Sequence, residues 1–295
     1  MSKKLKAAST SIIVNISLLI SKAILAVLTG SIGLLAESAH SLFDLFASLL
    51  AYLGIKKADQ PEDSRHLYGH EKFETLSSFL QALLITGTAF IVMWEAYSKI
   101  LHPTPVENSE WGIALMIISI PVTYFTAKYL SKMAEQEGGS HALEADSAHF
   151  TTDVLSSIAV LIGLVLVKFG LPYGDPIAAF IVGLIMIYIS IKLGIRSYHV
   201  FMDASPDELQ MKKIVRTLNS AIKNKKITRY HKLKARMIGS KILLDVHIHV
   251  PNKLSIVEAH EISSEIRREL KRKVPQIKDA TIHEEPDKEY SKPKK

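Results

Sequence analysis

Six long apolar segments follow one another through the first two-thirds of the chain, and no other feature constrains the fold as strongly. They span residues 9–29, 32–55, 76–100, 111–130, 145–169 and 177–195. A helix needs about 20 apolar residues to cross the hydrocarbon core of a bilayer. The sequence therefore predicts an α-helical membrane domain of six transmembrane helices, occupying residues 1–202.

Basic residues are distributed unevenly among the loops that join these segments. Lysine and arginine lie before the first segment, between the second and third, and at the end of the fourth, whereas the loops at 30–31, 102–110 and 170–175 are poor in them. The positive-inside rule then predicts a multi-pass protein of the inner (plasma) membrane with both termini in the cytoplasm. Membrane orientation also explains the net charge of +7 better than a nucleic-acid partner does.

Charged residues dominate after residue 203, so a soluble domain is predicted over residues 203–286. Its patterns indicate a helix at 207–224, strands at 230–237 and 241–250, a helix at 256–273 and a short strand at 280–283. This α-β-β-α-β order predicts a cytoplasmic α+β domain of ferredoxin-like type, with helices on one face of a small antiparallel sheet. Residues 287–295 are predicted to form a disordered tail.

One pattern of polar residues occurs in the second apolar segment and again in the fifth. Each copy contains an acid, Ser, Ala, His and, four residues after the His, Asp. Residues four apart share a helix face, so each His-x-x-x-Asp pair presents two ligands side by side. The chain has no cysteine, and two imidazoles with two carboxylates suit tetrahedral zinc. The four predicted ligands are His40, Asp44, His149 and Asp153.

The charge of such a site favours an exchange of metal for protons. Ionisable residues inside a bilayer are costly and normally face a partner or a pathway. Two carboxylates balance one dication, and metal binding requires neutral imidazole and ionised carboxylate, so binding releases protons. The alternative is a structural role, in which these groups pair with Ser, Thr or Asn15 of the first segment. The repetition of the pattern in two segments favours the metal site.

The acid that opens each copy of the pattern is a candidate for the metal path. The second segment runs from the outside inward and the fifth runs from the inside outward. Glu37 therefore falls on the outer side of the site, and Asp146 falls on the inner side. We predict that both flank the path of the ion, although a role as polar residues at helix ends is an equal alternative.

These residues resemble those of the cation diffusion facilitator (CDF) family, whose bacterial members export zinc, iron and related ions. The resemblance covers nearly the whole chain, including residues 30–38, both His-x-x-x-Asp pairs and the loop at 63–70. It implies a homodimer that exchanges metal for protons, with no enzymatic activity and no organic cofactor. Two histidines with two aspartates imply zinc as the substrate, since imidazole suits zinc. Iron, manganese, cobalt, nickel and cadmium remain alternatives.

The resemblance also implies an accessory site and a charge interlock. Asp63, His66 and His70 match a second metal site at the cytoplasmic face, and two imidazoles four residues apart with a nearby carboxylate suit a metal ion. The alternative is a solvated polar loop. Lys72 and Asp203 match a charge pair that joins the third helix to the soluble domain.

The soluble domain matches the family at a cluster for two regulatory zinc ions. The implied ligands are His231, His247, His260, His283 and Glu285. Two ions held there would draw the cytoplasmic domains of the two protomers together. The alternative is a set of surface histidines. His249 shares a strand face with His247 but matches no ligand of the family, so the predicted cluster omits it.

Two other classes of function compete with metal export. An intramembrane metalloenzyme typically carries His-Glu-x-x-His, and both His-Glu pairs of this chain, at 70–71 and 260–261, lack the second histidine. A membrane metal sensor that does not transport is the other alternative. It would bind metal in the soluble domain without any flux.

Overall fold

Each of the six apolar segments lies within a long helix. The structure is a computed structural model that describes residues 2–30, 32–102, 110–169 and 173–287. The helices are α1 (Lys3–Thr29), α2 (Ile32–Ala58), α3 (Lys72–Leu101), α4 (Glu110–Gln136), α5 (His141–Lys168) and α6 (Gly174–Phe201). Most of them extend beyond the predicted segments because polar residues at their ends continue the helices. The predicted loops at 102–110 and 170–175 and the tail fall largely outside the described residues.

Four of the six helices are long and apolar enough to cross a membrane. Among the described residues these stretches are Lys3–Thr29, Ser38–Ala58, Lys72–Leu101 and Gly174–Phe201. The first half of α5 is polar, and several side chains of α4 lie outside the described part of the chain. The prediction of a helical membrane domain is confirmed, whereas six membrane crossings remain a prediction.

The outer surface of these helices is apolar, as expected for a surface in contact with lipid. Ile13, Ile20 and Ile24 of α1 are all exposed. The interior instead uses small residues, which let helix backbones approach closely in a membrane. A Cβ atom on Gly54 of α2 would lie 2.5 Å from the Cβ atom of Ser77 on α3. This contact therefore requires glycine at position 54.

The helix that carries each His-x-x-x-Asp pair lies at the centre of the bundle. α2 packs against α1, α3 and α5, and α5 also packs against α3 and α4. α1 ends at Gly30, whose φ of 65° lies in the left-handed region that glycine adopts readily. The chain reverses there, as the sequence predicts, and Ser31 lies outside the described residues.

The second compact unit, His199–Lys295, carries the predicted order of helices and strands. It contains α7 (Glu208–Lys223), β1 (Arg229–Ile238), β2 (Lys241–Val250), α8 (Ile256–Lys273) and β3 (Ile277–Pro286). The first unit is Met1–Tyr198, and the predicted boundary after residue 202 remains a prediction. β1 and β3 are longer than the sequence patterns indicate, because their alternation is interrupted by charged residues.

The sheet is mixed, so the prediction of an antiparallel sheet is wrong in one of its two pairings. The strand order is β1-β2-β3; β1 pairs with β2 antiparallel, and β2 pairs with β3 parallel. The physical reason is α8, because a helix between two neighbouring strands returns the chain to the same end of the sheet. This parallel pairing aligns His247 with His283 and His249 with Glu285.

One face of β2 forms the core of this unit, as its alternating pattern predicts. Its apolar side chains are buried against those of α7 and α8, including Ile214, Leu218, Ile266 and Leu270. Both helices therefore lie on one face of the sheet. The opposite face of β2 and β3 carries the histidines.

Candidate metal sites

The contact between α2 and α5 brings the two His-x-x-x-Asp pairs together. The Nε2 atom of His149 lies 3.2 Å from Oδ1 of Asp44, and Nε2 of His40 lies 3.7 Å from the same oxygen. His40, Asp44 and Asp153 each offer a ligand atom within 4.8 Å of the others. Three of the four predicted ligands thus form one group, and the fourth, His149, contacts it through Asp44.

Several polar atoms of this group are buried without a hydrogen-bond partner. Within the described part of the chain, they are Oδ1 of Asp44 and both ring nitrogens of His149. A buried polar atom without a partner costs about 1–3 kcal/mol, more if it is charged. A cation bound between the two helices would satisfy an oxygen and a nitrogen at once, so the donor set fits a divalent ion of the zinc type.

A second set of contacts ties α1 to the same place without using the predicted ligand atoms. The Nδ2 atom of Asn15 donates to the backbone carbonyl of Asp44 at 3.1 Å and to Oγ of Ser48 at 2.9 Å. The structural alternative had Asn15 pairing with the ligand side chains. Instead it holds the backbone of α2, and the carboxylate of Asp44 stays directed toward the histidines.

Of the two acids that open the repeated pattern, the structure describes the side chain of Asp146 but not that of Glu37. Asp146 is fully buried one turn before His149, and its Oδ1 accepts a hydrogen bond from Oγ of Ser48 at 2.8 Å. It is thus held by α2. The side chain of Glu37 lies outside the described residues. The path role of both acids remains a prediction.

A lysine inside α1 also points toward this region, and the sequence reasoning missed it. The Nζ atom of Lys22 donates to Oγ of Ser41 at 2.9 Å, and Ser41 directly follows His40. The sequence does indicate this residue, because a lysine within an otherwise apolar segment is a functional candidate. A cationic side chain does not coordinate a metal ion, so a pattern of His, Asp and Glu ligands does not include it.

The loop between α2 and α3 folds its three predicted ligands around one carboxylate. Nδ1 of His66 lies 3.0 Å from Oδ1 of Asp63, and Nε2 of His70 lies 3.2 Å from its Oδ2. The backbone N–H groups of Arg65 and His66 donate to Asp63 and hold the pKa of its carboxyl at about 2. The carboxylate is therefore ionised at neutral pH and available to a metal ion.

His70 is oriented for metal binding by its backbone contact. Its Nδ1 atom lies 3.0 Å from the carbonyl oxygen of Pro61, which can only accept a hydrogen bond. Nδ1 therefore donates this hydrogen bond, and Nε2 is the ring nitrogen that faces Asp63. This Nε2 atom is buried without a hydrogen-bond partner among the residues described.

The sheet of the second unit gathers four histidines around Glu285. His247 and His283 form one group of ligands with Glu285, and His231 and His249 form another with the same carboxylate. Nδ1 of His247 lies 2.6 Å from Oε1 of Glu285, and this hydrogen bond lowers the pKa of the carboxyl. Glu285 is thus shared by two groups, each able to offer two imidazoles.

His249 is the ligand candidate that the sequence analysis omitted. Its Nδ1 atom lies 3.2 Å from the carbonyl oxygen of Pro286, so Nδ1 donates to that oxygen and Nε2 is the nitrogen that faces the cluster. Nε2 lies 3.3 Å from Oε2 of Glu285 and 3.0 Å from Nδ1 of His231. The parallel pairing of β2 with β3 brings His249 to Glu285, and the antiparallel pairing of β1 with β2 brings it to His231. The sequence analysis omitted His249 because it matches no ligand of the family.

The remaining predicted residues stand apart from these groups. His260 lies exposed on α8 and belongs to none of the groups of ligands found in the described residues. The carboxylate of Asp203 accepts a hydrogen bond from Nη1 of Arg236 at 2.7 Å. Lys72 begins α3 in the other unit. The Lys72–Asp203 interlock would join the two units, and it remains a prediction.

Comparison with known proteins identifies the family. A family model described as cation efflux transmembrane domain matches residues 8–202, and one described as cation efflux protein, cytoplasmic domain, matches residues 206–287. The chain belongs to the cation efflux family. It is a membrane transporter for divalent metal ions and not an enzyme, so the metalloenzyme alternative is excluded.

Two relatives agree with this assignment over most of the chain. An uncharacterized transporter of Methanocaldococcus jannaschii is 31% identical over 273 residues, covering 92% of this chain and 95% of the relative. The cation-efflux pump FieF of Shewanella oneidensis is 31% identical over 235 residues, covering 80% of this chain and 78% of the pump. The metal-bound C-terminal domain of the CzcD transporter from Thermotoga maritima is 24% identical and covers 29% of this chain, with a TM-score of 0.26. All of that CzcD domain is covered.

Proposed function

We propose that this transporter is a zinc/proton antiporter that exports zinc through a site formed by His40, Asp44, His149 and Asp153. The observation that carries the proposal is the position of Asp44, whose Oδ1 lies between imidazoles of two helices and is buried without a hydrogen-bond partner in the described chain. Two imidazoles and two carboxylates suit zinc better than manganese, which favours oxygen ligands.

Proton exchange follows from the same ligands. Zinc binds imidazole in its neutral form and carboxylate in its ionised form, so loading releases protons and protonation releases the ion. Asp146 lies one turn on the cytoplasmic side of His149 if both termini are cytoplasmic. In that orientation, which the positive-inside rule supports, the loop and soluble-domain ligand groups lie on the cytoplasmic side. Export from the cytoplasm agrees with this placement and with membership of a cation efflux family.

We further propose that the transporter is a zinc-regulated homodimer. The cytoplasmic domain of the family is a dimerisation domain. His231, His249 and Glu285 would hold one zinc ion, and His247, His283 and the same Glu285 would hold a second. Asp63, His66 and His70 would form a further station at the cytoplasmic face. Pure sensing without transport is the alternative that a flux measurement separates.

Flux through proteoliposomes tests the transport proposal. Purified protein is reconstituted, and uptake of zinc, manganese, iron and cadmium is followed together with the internal pH. We expect saturable zinc uptake coupled to proton movement, and its loss in Asp44→Ala and Asp153→Ala. Asp59→Ala is the matched control, because this exposed carboxylate at the end of α2 contacts Ser2 and lies outside the site. Equal flux in all four proteins would reject the site, and zinc binding without any flux would favour the sensor.

A further inference from the structure

Lys22 is a basic residue inside a helix that is expected to cross the membrane, and it is not one of the proposed metal ligands. It lies about two turns before the end of α1 at Thr29. A charged side chain inside a bilayer is costly and normally has a specific partner or pathway. A lysine near a helix end can extend its stem to the membrane surface, which would remove this cost.

The ammonium group of Lys22 is directed toward α2. Nζ donates to Oγ of Ser41 at 2.9 Å. Ser41 follows His40 and precedes Asp44 by three residues, so it lies within one turn of both predicted ligands. Lys22 is therefore a fixed neighbour of the transport site.

α1 holds this position because the same helix face contacts α2 on both sides of Asp44. Asn15 and Lys22 are seven residues apart and share a face of α1. Asn15 binds Ser48, toward the cytoplasmic end of α2, and Lys22 binds Ser41, on the other side of Asp44. The two contacts hold α1 against α2, and the hydrogen bond to Ser41 keeps the ammonium group beside the site.

We propose that Lys22 is a positioning and affinity-setting residue, whose positive charge weakens metal binding at the transport site and speeds release of the ion. This inference rests on the proposed transport site. The ammonium group attracts the carboxylates of the empty site and repels a dication in the loaded site. It therefore stabilises the empty site relative to the loaded one.

A transporter needs a limit on the affinity of its site because the ion must leave as well as enter. Permeation requires binding that is favourable enough for entry and weak enough for exit. Two imidazoles and two carboxylates are also the ligands of permanent zinc sites, which hold their ion firmly. A fixed cation beside this donor set would lower affinity without removing a ligand, so selectivity for zinc is retained.

The test separates the charge of Lys22 from its hydrogen bond. In Lys22→Gln the amide can still donate to Ser41 but carries no charge, whereas Lys22→Arg keeps the charge. Lys192→Gln is the matched control, because this lysine is exposed on α6 and its loss changes the net charge equally. The full-length protein is used for zinc flux in proteoliposomes and for equilibrium zinc binding in detergent. Binding to the transport site is taken as the part that Asp44→Ala with Asp153→Ala removes.

We expect Lys22→Gln to bind zinc roughly tenfold more tightly than the wild type, with KM and kcat both lowered. Lys22→Arg and Lys192→Gln should keep wild-type values. A structural role alone would not tighten binding, so unchanged or weaker binding in Lys22→Gln overturns the inference. Equal tightening in Lys22→Arg or Lys192→Gln also overturns it. If the wild type shows no flux, the transport proposal fails, while the binding measurement still decides the role of Lys22.

Discussion

The imidazole of His40 decides the chemistry of the proposed transport site, because it makes the donor set two nitrogens and two oxygens. Its Nε2 atom faces Oδ1 of Asp44 across one helix turn, so an aspartate at this position would place an oxygen ligand on the same face of α2. We expect His40→Asp to lower the preference for zinc over manganese by roughly tenfold or more, since even groups that only support a ligand change metal affinity that much. Competition flux with both ions in the same vesicles measures this ratio.

A matched control for His40→Asp is His102→Asp, because His102 lies exposed at the end of α3 and adds the same carboxylate far from the cluster. This control should keep the zinc preference of the wild type. If His40→Asp also keeps it, position 40 does not select the metal, and the assignment of zinc loses its chemical basis.

The repeated polar pattern predicted four ligand positions, and three of those side chains meet in one group with the fourth in contact. Repetition carries information about tertiary structure, because two copies on two helices imply that the helices face each other. Lys22 escaped this reasoning because its position depends on a contact between α1 and α2, which leaves no local pattern. His249 was visible on the strand face of His247, but its contact with Glu285 depends on the pairing of two strands.

Serine contacts join three helices around the site at the scale of whole elements. Ser48 of α2 accepts from Asn15 of α1 and donates to the buried Asp146 of α5. In Ser48→Ala, Asp146 loses this donor and Asn15 loses an acceptor. We expect a destabilisation of about 1–3 kcal/mol for a buried partner left unsatisfied, measured as a lower thermal unfolding midpoint in detergent.

Ser17→Ala is the control for this loss, because Oγ of Ser17 is exposed and bonds only within α1, to the carbonyl of Ile13. Its unfolding midpoint should stay near that of the wild type. A loss of the same size in both variants would mean that any serine in these helices contributes equally. The contacts of Ser48 with α1 and α5 would then stabilise the protein no more than an exposed serine does.

Element order could be predicted from the sequence, whereas strand direction could not. The alternation of apolar residues at 241–250 gave β2 its bounds and its buried face. Direction depends on how α8 returns the chain to the sheet, which is a tertiary property. The same limit applies to the membrane domain, because the polar half of α5 looks unlike a membrane helix until its partner α2 is in place.

Metal sensing can be tested on the whole molecule by site-directed spin labelling. The chain has no cysteine, so one introduced cysteine is the single labelling site in each protomer. Lys253→Cys places a single spin label in the exposed turn between β2 and α8 of each protomer. Two ions at the Glu285 cluster would add positive charge to this face of the sheet. They would also have open coordination positions, which ligands of the other protomer could fill. We expect zinc to shorten the distance between the two labels in full-length protein, and Glu285→Ala to abolish the change.

Single substitutions at His249 and His260 then decide which protomer supplies each ligand. His249 lies within the cluster of its own protomer, so His249→Ala should remove about one bound ion per protomer as well as the shortening. His260 lies exposed and outside the ligand groups found in the described residues, so we infer that it binds an ion held by the other protomer. His260→Ala should therefore keep both ions bound and lose the shortening. Metal counting by mass spectrometry beside the distance measurement distinguishes these results. Unchanged label distances on adding zinc to the wild type would contradict regulation through this cluster.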